Sequence, residues 1–415
     1  MSRTDGDALS PADEVNLMLD GIGVYVLTVV GCAGIGGFVR GPDDVDLDAL
    51  RRHVADRTAR LPRLRGTLTG TSGRHRLVDR GLRIADHVRV EGPVDGLAGL
   101  HSLCSRLSTE PLPSGRPLWE LRIVLGANPT GVAWVFRVHH AIADGRMAAR
   151  LMDTLFDEEP DAAASAPRTA SHRAAHPPTR RGPALRQLST LVRMMPRTDF
   201  VGPSGPGREL RVIVLPLADA SRASRALGAS VNDVILAAVG EGAREAFAAL
   251  GEGVPDVLPV SVPVLLPGDD DRTNQVAAFT ARIPLDDIGT AERARMLGPR
   301  TKAWASEVRD RPLPWFLRTA AGAWIMRNYV ARQRVIAVLS TNVRGPARRR
   351  RLCGAPIDAV WALPVLAGTV RVGVAVVSYA GTLRVCVLWT GAIGAAGARM
   401  AERMESALTD LILEV

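Results

Sequence analysis

The stretch WVFRVHHAIADG, residues 134–145, sets two adjacent histidines at the end of an apolar run, with Asp144 and Gly145 four and five residues beyond His140. An imidazole has an ordinary pKa of about 6.5, close to the ideal for a general base at neutral pH. It can take a proton from a hydroxyl or amine as that group attacks a carbonyl. If the carbonyl belongs to a thioester, the leaving thiol has a pKa of about 8.5 and departs with little acid assistance, so one histidine suffices. Successive side chains on a strand point to opposite faces, so only one of His139 and His140 can face a given cleft while the other packs. Asp144, in a turn tightened by Gly145, either acts on the substrate or holds the loop through an arginine. The second role is the expectation, because a buried carboxylate needs a charged or hydrogen-bonding partner. Spacing alone is equally compatible with two core histidines beside a chance Asp-Gly turn.

Other chemistries find little support. The chain has no GxSxG elbow, no HExxH and no Walker A loop, whose lysine it could scarcely supply, since Lys302 is its only one. GCAGIGGFV, 31–39, fails the GxGxxG pattern. Cys32, Cys104, Cys353 and Cys386 are scattered without metal-ligand spacing, which predicts buried free thiols and no metal site. Direct transfer in a ternary complex is the simplest mechanism left.

The elements that must position the histidines read as follows. LSPADEVNLMLD predicts a capped helix from about Pro11, followed by an apolar strand near 24–30. That apolar stretch is too short and glycine-rich for a membrane span. PLWELRIVLG and GVAWVFRVHH read as two strands joined by the turn ANPT, and MAARLMDTLF as a helix, so the double histidine falls at a strand-to-helix junction. Strands and helices alternate again after residue 208. The fold class is therefore α+β, with domains expected over 1–156 and 208–415. Residues 157–207 between them read as a Pro-, Ala- and Arg-rich linker with a short basic amphipathic helix, ALRQLSTLVRMM. At 415 residues with 47% hydrophobic content, two such units can each bury a core. The net charge of +9 is almost entirely arginine, which we read as genomic bias rather than nucleic-acid binding. No signal peptide is visible, so a cytoplasmic protein is expected, with peripheral membrane contact through its basic segments as an option. The arginines Arg344 and Arg348 to Arg351 read first as a solvated run.

The ordered set LSPADEVNLMLD, VDLDALRRHV, LPRLRGTL, PLWE, HHAIADG, NDVILA, SVPVLL, TNQVAAFTARIPL, TNVRGP and SYAGTL resembles the wax ester synthase/diacylglycerol acyltransferase family nearly end to end. That family is related to chloramphenicol acetyltransferase and to condensation domains. The resemblance implies two chloramphenicol-acetyltransferase-like domains around a central tunnel, and transfer of an acyl group from acyl-CoA to a fatty alcohol or diacylglycerol. It implies no resident cofactor, coenzyme A entering only as the co-substrate thioester. It makes His140 the base, with His139, Asp144 and Gly145 shaping the loop. Through the condensation domains it also implies an ion pair between Asp144 and Arg65.

Further positions fall in matching motifs. Asn232 and Asp233 lie in the ND motif, although Ser230 and Asp233 also fit a helix capping box. Trp119 of PLWE is expected to pack, and Asn342 and Gly345 of TNVRGP to lie near the tunnel. Met147, where the family has smaller residues, is expected to narrow the acceptor side. Two alternatives stay open: acylation of a small specialised product from a coenzyme A or carrier-protein thioester, and a non-catalytic lipid or acyl-CoA binder.

Overall fold

The computed structural model describes residues 6–71, 73–157, 194–265, 276–309 and 320–414. Its helices start where the sequence supplies caps. Ser10 and Asp13 form a reciprocal capping box with Pro11 in the first turn of α1 (Pro11–Leu19), satisfying backbone N–H groups that have no partner inside the helix. Asp46 caps α2 (Leu47–Thr58) by accepting from Ala49 N at 2.9 Å. The short helices α3 (Pro62–Arg65) and α4 (Ile84–His87) and the longer α5 (Gly96–Leu107) complete the run before the histidine strand.

Three sheets organise the described residues. A small one has β1 (Asp7–Ala8), β4 (Arg76–Asp79) and β3 (Gly66–Thr69) in that order. The first large sheet contains β5 (Val88–Glu91), β6 (Trp119–Asn128), β7 (Gly131–His139) and β2 (Val26–Gly34), then β13 (Ala355–Leu363) and β12 (Arg351–Leu352). Every residue of β7 is buried, so this strand is sandwiched on both faces and reads as a continuous apolar run. At its middle Gly31 of β2 lies under Trp134, where a Cβ would come within 2.2 Å of the indole; only glycine fits there.

The second large sheet runs β10 (Val276–Pro284), β9 (Val257–Leu265), β11 (Val338–Arg344), β14 (Val372–Tyr379), β15 (Thr382–Thr390) and β8 (Arg208–Pro216). It is covered by α7 (Leu217–Ala226), α8 (Val231–Ala249), α9 (Thr290–Arg309) and α11 (Gly394–Leu413), while α10 (Ala320–Arg332) lies against α1. Together these form one large apolar core.

The sheets do not divide where the sequence does. β13 comes from the second half yet pairs antiparallel with β2, Trp361 opposite Val30. A third cluster seals the junction, with Leu100, Cys104 and Leu107 of α5 against Val30, Val135, Trp361 and Cys386. Cys104 and Cys386 are buried there as free thiols, and Cys32 and Cys353 are half-buried and also free. The linker and amphipathic helix expected over 157–207 fall mostly on 158–193, outside the described residues.

Among the described residues, no helix is long and apolar enough to cross a membrane. Arg344, Arg348, Arg349 and Arg351 are exposed, as a solvated run would be, with Arg349 beside Asp358 at 3.4 Å and Arg351 donating to Gly354 O at the surface, while the half-buried Arg350 pairs with Asp153 at 3.1 Å.

Candidate active site

β7 ends at His139, and the next five residues turn back into α6 (Gly145–Leu155). His139 and His140 part company there. The ring of His139 is buried; its Nε2 donates to Asp20 Oδ2 at 2.7 Å and its Nδ1 accepts from Ala141 N at 3.0 Å. This histidine pins the turn to the end of α1. His140 points the other way. Its backbone N donates to Tyr25 O at 2.8 Å, and Asn16 of α1 brings its amide Nδ2 to 3.2 Å from His140 Nδ1 and 3.3 Å from His140 O. Burial pulls the His140 pKa below its ordinary value, opposed by a hydrogen bond to its own carbonyl and by the charge of Asp144. The neutral, proton-accepting form is thereby favoured at neutral pH.

Asp144 is buried and caps α6, accepting from Met147 N at 2.7 Å. The expected partner is elsewhere: Arg65 donates to Asp79 Oδ2 at 2.7 Å, not to Asp144. The reason is local. Arg65 closes α3 just before β3, and Asp79 faces Gly66 across the β3–β4 ladder, so the nearest carboxylate captures the guanidinium. Arg63, two residues earlier, is the arginine that reaches the histidine loop. It donates to Asp13 Oδ2 at 2.9 Å and to Ala141 O at 3.1 Å, tying the loop to α1. Asn16, Asp20, Asp13 and Arg63 all escaped sequence reasoning; the spacing NLMLD puts Asn16 and Asp20 four apart, on one helix face, which was the available signal.

His140 lines a cavity of about 380 Å³ between the two halves. Leu27, Gly145 and Ala149 contribute from the first half, and Ser261, Pro263, Leu339 to Arg344 and Leu363 to Val365 from the second. An adjoining apolar pocket of about 90 Å³ shares Leu27, Gly145, Ala149 and Leu363 and ends on Met152, Phe156 and Tyr379. Gly145 lines both as the first residue of α6. Asn342 lines the larger cavity and Gly345 the smaller, where Gly345 packs so tightly that a Cβ would come within 2.6 Å of Ser378 O. The Ser340 hydroxyl, buried in the wall of the larger cavity, has no hydrogen-bond partner among the described residues.

Other candidates lie apart. Met147 lines neither cavity and packs against the first core, which removes the expected narrowing. Trp119 is buried, stacks on His87 at 4.5 Å and donates from Nε1 to Leu64 O at 2.7 Å, a packing role. Asn232 and Asp233 open α8 and line neither cavity; Asp233 completes the capping box with Ser230 and accepts from Thr301 Oγ1 at 2.6 Å.

Residues 9–198 match the wax ester synthase/diacylglycerol acyltransferase catalytic domain, and residues 274–412 match the C-terminal domain of the same family. The chain belongs to the wax ester synthase/diacylglycerol acyltransferase family. It is accordingly an acyltransferase, moving an acyl group from acyl-CoA to an alcohol acceptor. A Mycobacterium tuberculosis (strain CDC 1551 / Oshkosh) protein described as a probable diacylglycerol O-acyltransferase, tgs1, is 26% identical over 351 residues, 75% of each chain. In fold, the chain is similar to the wax ester synthase/diacylglycerol acyltransferase from Marinobacter aquaeolei VT8, with a TM-score of 0.71 at 18% identity over 98% of this chain and 99% of that one. It is also similar to the starter condensation domain of rhizomide synthetase RzmA, solved with C8-CoA and Leu-SNAC, with a TM-score of 0.62 at 14% identity over 99% and 96%. The α+β, chloramphenicol-acetyltransferase-like class expected from the sequence is the one found.

Proposed function

We propose that this acyltransferase esterifies a lipid alcohol, diacylglycerol or a fatty alcohol, from a fatty acyl-CoA, with His140 as the general base. The observation that carries the reading is the placement of His140 in an otherwise mainly apolar cavity between the two halves, its carbonyl accepting from Asn16 Nδ2 and its ring Nδ1–H turned to that same carbonyl, which leaves Nε2 unprotonated. Nε2 takes the proton of the acceptor hydroxyl as its oxygen bonds to the thioester carbon. The tetrahedral intermediate then collapses, the C–S bond breaks, and the thiolate of coenzyme A recovers the proton from the imidazolium. Ser340, with its unused hydroxyl, is the side chain assigned to the developing oxyanion. His139 and Asp144, each committed to a partner in the turn, hold the loop, and Gly145 keeps the cavity wall low. Asn342 and Gly345 belong to the substrate-facing wall. The domains are assigned as 1–156 and 208–415, with β12 and β13 of the second completing the sheet of the first.

Free-thiol release over a series of acyl-CoA lengths and alcohols tests the reading. Expected is release that requires a lipid alcohol; release with small amines alone, or only from carrier-bound acyl groups, overturns it. The same assay reads pH. Because the unprotonated imidazole is the active form and its pKa in the free protein is lowered, the acidic limb of kcat/KM should fall below about pH 6.5, the ordinary histidine value. A limb above that value contradicts the assignment.

Peripheral contact with lipid is part of the proposal. α10 exposes Trp324 (65%), Ile325 (53%) and Tyr329 (42%) beside the exposed Arg327 and Arg332, and aromatic tips with nearby arginine suit an anionic interface. The chain at Ala367–Gly368, just after the cavity-lining Leu363 to Val365, packs under Val330 of this helix. Trp324→Ala with Tyr329→Ala should reduce sedimentation with phosphatidylglycerol-containing vesicles several-fold. Unchanged sedimentation removes this surface from the account.

A further inference from the structure

A second, larger cavity lies where α5 packs against the edge strand β8, and it shares no lining residue with the cavity of His140. It measures about 890 Å³, within the range of small-molecule sites, and its walls are mixed polar and apolar. The cation in it is unusual. Arg208 is half-buried and its guanidinium has no hydrogen bond or ion pair among the described residues, whereas its neighbours are matched: Arg106 pairs with Glu91 and Glu110, and Arg211 with Glu405. Burial alone pulls the Arg208 pKa down to about 10, with no carboxylate offsetting it. Glu209 lines the same cavity, but strand alternation turns it to the opposite face of β8 from Arg208.

Among the described residues, several buried polar atoms in or beside this cavity have no hydrogen-bond partner. His101 Nε2, in the cavity wall on α5, is buried without a partner, as is Trp361 Nε1, whose indole meets the His101 ring edge-on at 6.5 Å. Thr390, directly opposite Arg208 in the β8–β15 ladder and so on the same face, has a buried hydroxyl with no partner. Buried polar groups are nearly always hydrogen-bonded, so such a concentration beside an uncompensated cation calls for an acceptor-rich anion. A guanidinium fork with nearby N–H and hydroxyl groups suits the several oxygens of a phosphate better than the two of a carboxylate. The volume exceeds that of a bare ion.

We propose that this groove between α5 and β8 binds a phosphate-bearing small molecule, with Arg208 as its counter-ion and His101 as a second contact, at a site separate from the acyl-transfer cavity.

Titration calorimetry of the full chain with inorganic pyrophosphate, with acetate as the carboxylate arm, tests this together with hydrogen-exchange protection. Expected is saturable pyrophosphate binding that protects residues 101–109 and 208–212, weakened about tenfold in Arg208→Gln, as for loss of one charge-assisted pair. His101→Phe, which keeps a ring against Trp361, should weaken it several-fold and serves if the arginine variant does not fold. His140→Ala should leave it unchanged. No saturable binding, wild-type affinity in the folded variants, equal affinity for acetate, or protection confined to the His140 cavity each overturns the proposal.

Discussion

His140→Ala lowers kcat by about 10²- to 10⁴-fold, the usual contribution of a positioned general base, while acyl-CoA still binds. The imidazole sits in the wall of the cavity rather than filling it, so its removal leaves the Leu27, Pro263 and Leu363 surfaces that an acyl chain contacts. Turnover is read as free thiol released per enzyme, and binding by calorimetry with a non-transferable acyl-CoA thioether. A folded variant with wild-type turnover ends the assignment of His140 as base. A variant that loses acyl-CoA binding in equal measure assigns the residue to binding instead.

Glu120→Ala destabilises the first half by about 3–5 kcal/mol, the range found when one member of a buried ion pair is removed. Glu120 of β6 is fully buried and accepts from Arg137 and from Arg122 at 3.0 Å through one carboxylate oxygen, and from Arg89 at 2.8 Å through the other. Arg137 lies buried in the middle of β7, two residues before His139, and also donates to Leu107 O at 2.8 Å and to Glu110 O. Without the carboxylate its charge is stranded in the core of the histidine strand. Melting should fall by on the order of 10 °C. A change within about 1 °C, against several degrees per kcal/mol, would sink the argument.

The same group sets an acid limit on stability. Burial pushes the Glu120 carboxyl up, but Arg137 and Arg122 outweigh it and hold the pKa below the ordinary glutamate value. A depressed carboxylate pKa favours the native state above the unfolded value of about 4.3, and this contribution disappears as pH drops through the folded value. The stability of Glu120→Gln, read as its melting temperature, should therefore fall less steeply with decreasing pH below about 4.3 than that of the wild type.

Much of this was legible in the chain itself. Apolar runs bounded by turns located β2, β6 and β7, helical spacing located α6, and together they placed the histidines at a strand-to-helix junction; alternation then decided that only one ring could face the cleft. The Ser230–Asp233 box was readable for the same reason, because a cap is an interaction over three residues. Partners distant in sequence were not. Asp20 and Asn16 meet the histidines across 119 and 124 residues, and their four-residue spacing marks a shared face without naming what it meets. Arg65 was chosen over Arg63 on motif position, whereas the β3–β4 ladder puts a carboxylate beside Arg65 and leaves Arg63 to reach the loop. β13 reads as a strand of the second half and crosses to the first because β2 offers it an open edge, a choice made only when both sheets exist. Sequence determined which elements form and that only one of the two imidazoles can face the cleft, since those depend on neighbours along the chain; tertiary structure decided which one does and what each side chain touches, since that depends on packing between halves.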